Sequence, residues 1–99
     1  MRALVALTLL GCAAAQFSPG TLATVSTLAG GSQGSANGQG AAASFFNPTG
    51  VAVSSSGTVF VADHVNNMIR AVTPSGLVST LAGSTTAGST NGQGAAASF

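Results

Sequence analysis

The chain has almost no charged side chains. In 99 residues it carries two Lys or Arg, one Asp or Glu and one His. These four residues are Arg2, Asp63, His64 and Arg70. Nucleic-acid binding needs several basic side chains to displace phosphate counterions, and attraction to an acidic membrane surface needs a basic cluster. We therefore expect neither nucleic acid nor an acidic membrane surface among the partners.

Cysteine is equally scarce, because Cys12 is the only one. It follows an apolar run at residues 3–10 that begins just after Arg2. This order of a basic residue, a short apolar run and then small residues is typical of a secretory signal peptide. The apolar run is too short to cross a bilayer as a helix, so no transmembrane helix is predicted. A cut before Gln16 would leave a mature chain without cysteine.

We therefore predict a signal peptide at residues 1–15, cleaved near Ala15, and a secreted protein. Two alternatives stay open at this point. Residues 9–12 resemble a lipobox, which would anchor the chain through a lipid on Cys12. The apolar run could instead be a buried strand or helix at the start of the domain.

The strongest feature of the sequence is an internal repeat. Residues 25–30 recur letter for letter 53 residues later, at 78–83. Residues 37–45 recur 54 residues later, at 91–99. A repeat period of this size, 53 to 54 residues, indicates a propeller blade or a solenoid unit.

Between the two copies lie four short segments rich in β-branched and apolar residues. Tight turns at residues 54–57, 64–67 and 74–76 separate them, each containing Gly, Pro or Asn. This alternation predicts an antiparallel meander of four strands. The strand at 58–62 is apolar on both faces, so we expect the sheet to be covered on both sides, as stacked blades would do.

These observations divide the chain into five predicted segments. They are a signal peptide at 1–15, an outer strand of a preceding blade at 16–30, a Gly/Ala/Ser-rich linker at 31–47, a complete four-stranded blade at 48–83, and a second linker with the start of the next repeat at 84–99. The predicted fold class is all-β, as antiparallel blades of an incomplete β-propeller.

The repeated unit resembles the NHL repeat family. The resemblance rests on residues 47–53, 59–63, 66–70 and 78–83, which cover most of the blade. It implies a propeller of about six blades, and therefore further blades, in cis or from an oligomer, to close it. Family members act as interaction platforms, as RNA-binding tails or as secreted enzymes of the amidating-lyase kind. RNA binding does not fit a secreted chain without a basic face.

Four polar residues of the blade are predicted to have structural roles. Asp63 ends one strand, and Asn66 and Asn67 tolerate the left-handed conformations of the turn that follows. If Asp63 lies opposite Met68, Arg70 is diagonal to it on the same sheet face, at a separation of roughly 7–8 Å that an Arg side chain can reach. We therefore predict an Asp63–Arg70 pair.

Two phenylalanines occupy equivalent positions in the repeat, Phe45 and Phe99. We predict that they pack between adjacent blades. No catalytic, cofactor-binding or metal-binding residue is predicted, because a single acid makes no complete cation site and His64 has no second ligand at suitable spacing. No cofactor is expected.

The sequence therefore favours a secreted or cell-surface binding or scaffolding module over an enzyme. Its partner would be a protein or glycan bound through the complete propeller. The alternative is a fragment of a secreted, metal-dependent propeller enzyme of the lactonase or amidating-lyase kind, whose metal ligands would come from several blades.

Overall fold

A computed structural model describes residues 4–9 and 22–99, and within them the chain forms strands joined by turns and two short 3₁₀ helices. The strands are β1 Leu4–Leu9, β2 Ala23–Ala29, β3 Ser32–Gln33, β4 Gly38–Gln39, β5 Ser44–Phe45, β6 Pro48–Val53, β7 Val59–Asp63, β8 Met68–Val72 and β9 Leu77–Gly83. The 3₁₀ helices are Gly40–Ala42 and Gly94–Ala96. No helix among these residues is long and apolar enough to cross a membrane.

The main sheet has five strands in the order β4-β9-β8-β7-β6, and the four longer ones form the predicted antiparallel meander. The all-β class is thus confirmed. The fifth strand, β4, was not predicted. It consists of two linker residues, Gly38 and Gln39, which pair with Val78 and Leu77 at the edge of β9. Its pairing shields part of an edge that would otherwise present unpaired backbone groups.

The three hairpin turns share one geometry. In each, the amide of the last residue donates to the carbonyl three residues earlier: Gly57 to Ser54 at 3.0 Å, Asn67 to His64 at 3.0 Å, and Gly76 to Thr73 at 2.9 Å, one residue before the predicted start of the third turn. That last residue has a positive φ: 88° at Gly57, 55° at Asn67 and 92° at Gly76. Gly and Asn adopt this left-handed conformation at low cost, which is why they stand at these positions.

The two faces of the sheet have different environments. Side chains alternate along a strand, so Val59, Val61 and Asp63 on β7 share a face with their partners on β8, Val72, Arg70 and Met68. We call this the linker face, because the first linker and the end of β2 cover it. The core there consists of Ala29, Ala43, Phe45, Val61, Val72 and Val78.

The opposite face, which we call the open face, carries Ala52, Phe60, Ala62, Ile69 and Ala71. A shallow apolar groove of about 350 Å³ runs along it between β6, β7 and β8. The expectation that both faces are covered is thus met on the linker face only. The reason is that the first linker is long enough to fold back over one side of the meander and leaves the other side untouched.

The N-terminal strand falls inside the predicted signal peptide. β1 pairs antiparallel with β2, with Leu9 opposite Ala23 and Leu7 opposite Val25. Residues 4–9 of the apolar run are thus extended, and they pair with an edge of β2 that would otherwise be unpaired. Cys12, Ala15 and Gln16, on which the cleavage and lipid-anchor predictions depend, lie outside the described residues.

Candidate functional site

The centre of the linker face is a buried ion pair. The β7–β8 register places Asp63 opposite Met68 and Val61 opposite Arg70, so the acid and the base are diagonal neighbours. Nη1 of Arg70 donates to Oδ2 of Asp63 at 2.6 Å, and both side chains are fully buried. Charges this deep in a protein require a partner and further hydrogen bonds, because leaving water costs several kcal/mol per ion.

Arg70 obtains those further bonds from the linker. Nη1 also donates to the carbonyl of Ser44 at 3.0 Å. Nη2 donates to the carbonyl of Ala36 at 2.8 Å, to Oδ1 of Asn37 at 2.7 Å and, more weakly, to the carbonyl of Ser35 at 3.4 Å. The planar guanidinium suits this fork of four oxygens, whereas a lysine ammonium would not span it.

An aromatic ring lies beneath the guanidinium. The Cζ atom of Arg70 is 5.1 Å from the centroid of Phe45, a cation–π distance, and Phe45 is fully buried. The repeat predicts that Phe45 packs between adjacent blades. In the structure this ring packs on the blade that follows it in the chain. It lies against the guanidinium of Arg70 and, with the oxygen atoms that bind that group, forms what we call the arginine site.

Asp63 has two other partners besides Arg70. Its Oδ1 accepts the backbone amide of Phe46 at 2.8 Å, and its Oδ2 accepts Nδ2 of Asn66 at 2.7 Å. The same Asn66 amide group donates to the carbonyl of Gly34 at 2.7 Å. Asn67, at the end of the turn, instead donates to the carbonyl of Thr85 at 3.3 Å in the second linker. The turn therefore contacts both linkers.

These bonds connect the first linker to the blade. Both carboxylate oxygens of Asp63 accept hydrogen bonds, and one of the donors, Arg70, supplies the opposite charge. His64 is exposed in the turn. Within residues 22–99 no cluster of three or more His, Cys, Asp or Glu side chains could hold a metal.

The second predicted packing residue, Phe99, has a different environment from Phe45. Its side chain is 53% exposed and lines a cavity of about 370 Å³ with Ala62, Met68 and Ile69. This cavity lies at the end of the sheet that holds the His64–Asn67 turn. Phe99 thus lies at this end of the sheet, next to Ala62 and Ile69 of the open face, and is not part of the buried core.

The linker groups that bind Arg70 were not predicted from the sequence. Three of its four acceptors are backbone carbonyls, which any residue type supplies, so no side-chain motif marks them. The available signal was Asn37, which lies in the repeated segment and whose amide oxygen also accepts the Thr80 hydroxyl at 3.2 Å. Asn37 recurs in the second copy as Asn91.

Comparison with known proteins agrees with the repeat. The family model described as the teneurin NHL domain matches residues 25–99, which is three quarters of the chain. The NHL resemblance found in the sequence is thereby confirmed. A search of curated proteins and a search of solved structures found no significant match.

Proposed function

Because the chain belongs to the teneurin NHL domain family, we propose that it is a secreted or cell-surface propeller segment that acts as a binding or scaffolding module. An NHL domain is a propeller-type module, and the meander β6–β9 is one blade of it. The proposal rests on two observations taken together, the match to this family and the uncovered apolar face of the sheet. An apolar sheet face of this kind is covered in a propeller by the next blade.

The chemistry of the surface suggests which ligands such a module takes. Within the described residues the one acid, Asp63, and the one arginine, Arg70, are buried against each other. The exposed turns carry Ser, Thr, Asn and a single His. A ligand would therefore be held by neutral hydrogen bonds and apolar contacts, which suits a protein surface or a glycan better than a polyanion.

Secretion rests on the N-terminal composition. Arg2, the apolar run and the small residues at 13–15 have the order of a cleavable signal. If the segment is removed, β1 leaves with it and the outer edge of β2 becomes free to pair with another strand. Cleavage would thus expose an edge as well as release the chain.

The first experiment tests export. The full chain is expressed with a C-terminal tag in secretory cells, and the N-terminus of the protein in the medium is sequenced. We expect it to start at Gln16. A protein that stays in the cytosol and retains Met1 would overturn the export part of the proposal.

The second experiment tests binding. The secreted protein is applied to glycan arrays and to intact cells, with one bulky charged substitution at each end of the blade. Val65→Arg changes the turn next to Phe99, and Ser75→Arg is the matched change at the opposite end; both residues are exposed. A ligand held at one end is lost with one variant and kept with the other. Absence of saturable binding in all assays contradicts the binding role.

A further inference from the structure

The two linkers fold in the same way. In the first, the Ala36 amide donates to the Ser44 hydroxyl at 2.8 Å, and the Ser44 amide donates to the Ala36 carbonyl at 2.9 Å. In the second, the Thr90 amide donates to the Ser98 hydroxyl at 2.8 Å, and the Ser98 amide donates to the Thr90 carbonyl at 3.0 Å. Each linker therefore contains a loop, residues 34–45 in the first and residues 88–99 in the second, that is closed by the same reciprocal pair of hydrogen bonds.

The rest of the loop repeats as well. The amide of Gly34 donates to the carbonyl of Phe45 at 3.1 Å, and that of Gly88 to the carbonyl of Phe99 at 2.9 Å. The glycines that open the two 3₁₀ helices, Gly40 and Gly94, have φ values of 53° and 54°. The first loop is covered by a blade and the second is mostly exposed, so the loop adopts this shape without a blade upon it.

The first loop already binds a guanidinium. Its acceptors for Arg70 are the carbonyls of Ser35, Ala36 and Ser44 and the side-chain oxygen of Asn37. At the offset of 54 residues these correspond to Ser89, Thr90, Ser98 and Asn91 in the second loop. Arg70 is the one arginine within residues 22–99, and the first loop holds it.

We propose that the loop from Gly88 to Phe99 is a preformed binding site for an arginine side chain presented by the strand of another blade of this type. The carbonyls of Ser89, Thr90 and Ser98 and the Oδ1 of Asn91 accept the guanidinium. The ring of Phe99, half exposed here, lies beneath it as Phe45 lies beneath Arg70. The inference rests on the proposed propeller role and names the contact by which the next blade is received.

The occupant must bring an acid with its arginine. Neither linker contains an acidic residue, so the loop offers oxygen dipoles but no counter-charge. In the occupied site the counter-charge is Asp63, seven residues before Arg70 on the same hairpin. A lone cationic ligand would bury an unbalanced charge, which is strongly unfavourable. The second loop therefore selects a hairpin that carries an Asp–Arg pair.

The apolar surroundings support the same occupant. Ala62 and Ile69 of the open face, together with Met68 at the start of β8, line the cavity next to Phe99 in the second loop. The linker face of a blade is apolar around its ion pair, with Val61 opposite Arg70 on β7 and Val72 two residues further along β8. A blade of the same type would thus place its arginine in the loop and cover the open face at once.

The test appends a second copy of residues 46–83 directly after Phe99 of the full chain. Asn91→Ala and, in the appended copy, Arg70→Lys are made singly and together, and the unfolding equilibrium of the appended strands is measured by hydrogen exchange. We expect each single change to lower the folded-to-unfolded ratio about tenfold or more, and the double change to cost clearly less than the product of the two.

The first loop provides the matched control. Asn37→Ala with Arg70→Lys in the original blade must show the same coupling, and Thr86→Ala, an exposed linker change outside the acceptor set, must show none with the appended copy. An appended copy that folds with no coupling to Asn91 overturns the arginine site but leaves the binding role intact. An appended copy that stays unfolded also overturns it. Loss of ligand binding with the coupling preserved contradicts the proposed function alone.

Discussion

Replacing Arg70 by methionine is the most informative single perturbation of this chain. The substitution keeps an unbranched apolar stem and removes the guanidinium. It deletes the ion pair with Asp63 and the bonds from Nη1 and Nη2 to Ser44, Ala36 and Asn37. Asp63 then stays buried with only Asn66 and the Phe46 amide as donors.

The magnitude follows from what remains behind. Removing one partner of a buried ion pair leaves an uncompensated charge and costs about 3–5 kcal/mol. The linker carbonyls lose their donor in the same step, but those nearest the surface can turn to water. A domain of this size has a total stability of about 5–15 kcal/mol, so the loss is a large share of it. With a urea m-value of about 1–3 kcal/mol/M, the midpoint falls by about 1 M or more.

The assay must suit the composition. The chain contains no Trp and no Tyr, so urea unfolding is followed by far-ultraviolet circular dichroism and by hydrogen exchange rather than by fluorescence. The Phe46 amide, bonded to Asp63, reports the site directly. Arg70→Lys is the matched control: it keeps the charge beside Asp63 but loses the fork, so its midpoint should lie between those of the wild type and Arg70→Met.

A double variant separates charge from packing. Asp63→Leu with Arg70→Met removes both charges, so no ion stays buried alone, and we expect it to be more stable than Arg70→Met. An Arg70→Met midpoint equal to that of the wild type, with unchanged exchange at Phe46, would refute the reasoning. It would mean that the pair does not hold the linker to the blade.

Three further predictions concern the backbone and the packing. Gly83→Ala should lower the unfolding midpoint, because Gly83 has φ 90° and an added Cβ would collide with the carbonyl oxygen of Asn67, whereas Gly50→Ala, with nothing within 4 Å, should be tolerated. Phe45→Ala should cost about 3–5 kcal/mol in chemical denaturation because the ring is fully buried, and Phe99→Ala clearly less because the ring is half exposed. The isolated chain 16–99 should form oligomers in size-exclusion chromatography, since its open face is uncovered; elution at the volume of a monomer would contradict this.

The strands and turns were predictable because their causes are local. Apolar runs broken by Gly, Pro and Asn determine where a meander turns, and left-handed φ values at Gly57, Asn67 and Gly76 follow from residue type. The Asp63–Arg70 contact was predictable too, because a register that places Asp63 opposite Met68 makes Arg70 its diagonal neighbour on the same sheet face. The division of the chain into five segments stays a prediction, as do export and the ligand.

What the sequence by itself determined is the repeat, the blade and the residues of one buried pair. The tertiary structure decided which face that pair occupies and what covers it. It did so through backbone carbonyls of the linker, which carry no residue signature, and through a loop that closes on itself in both copies. The tertiary structure also shows where the few charges of the chain lie. Within the described residues the single acid and the single arginine neutralise each other inside the fold.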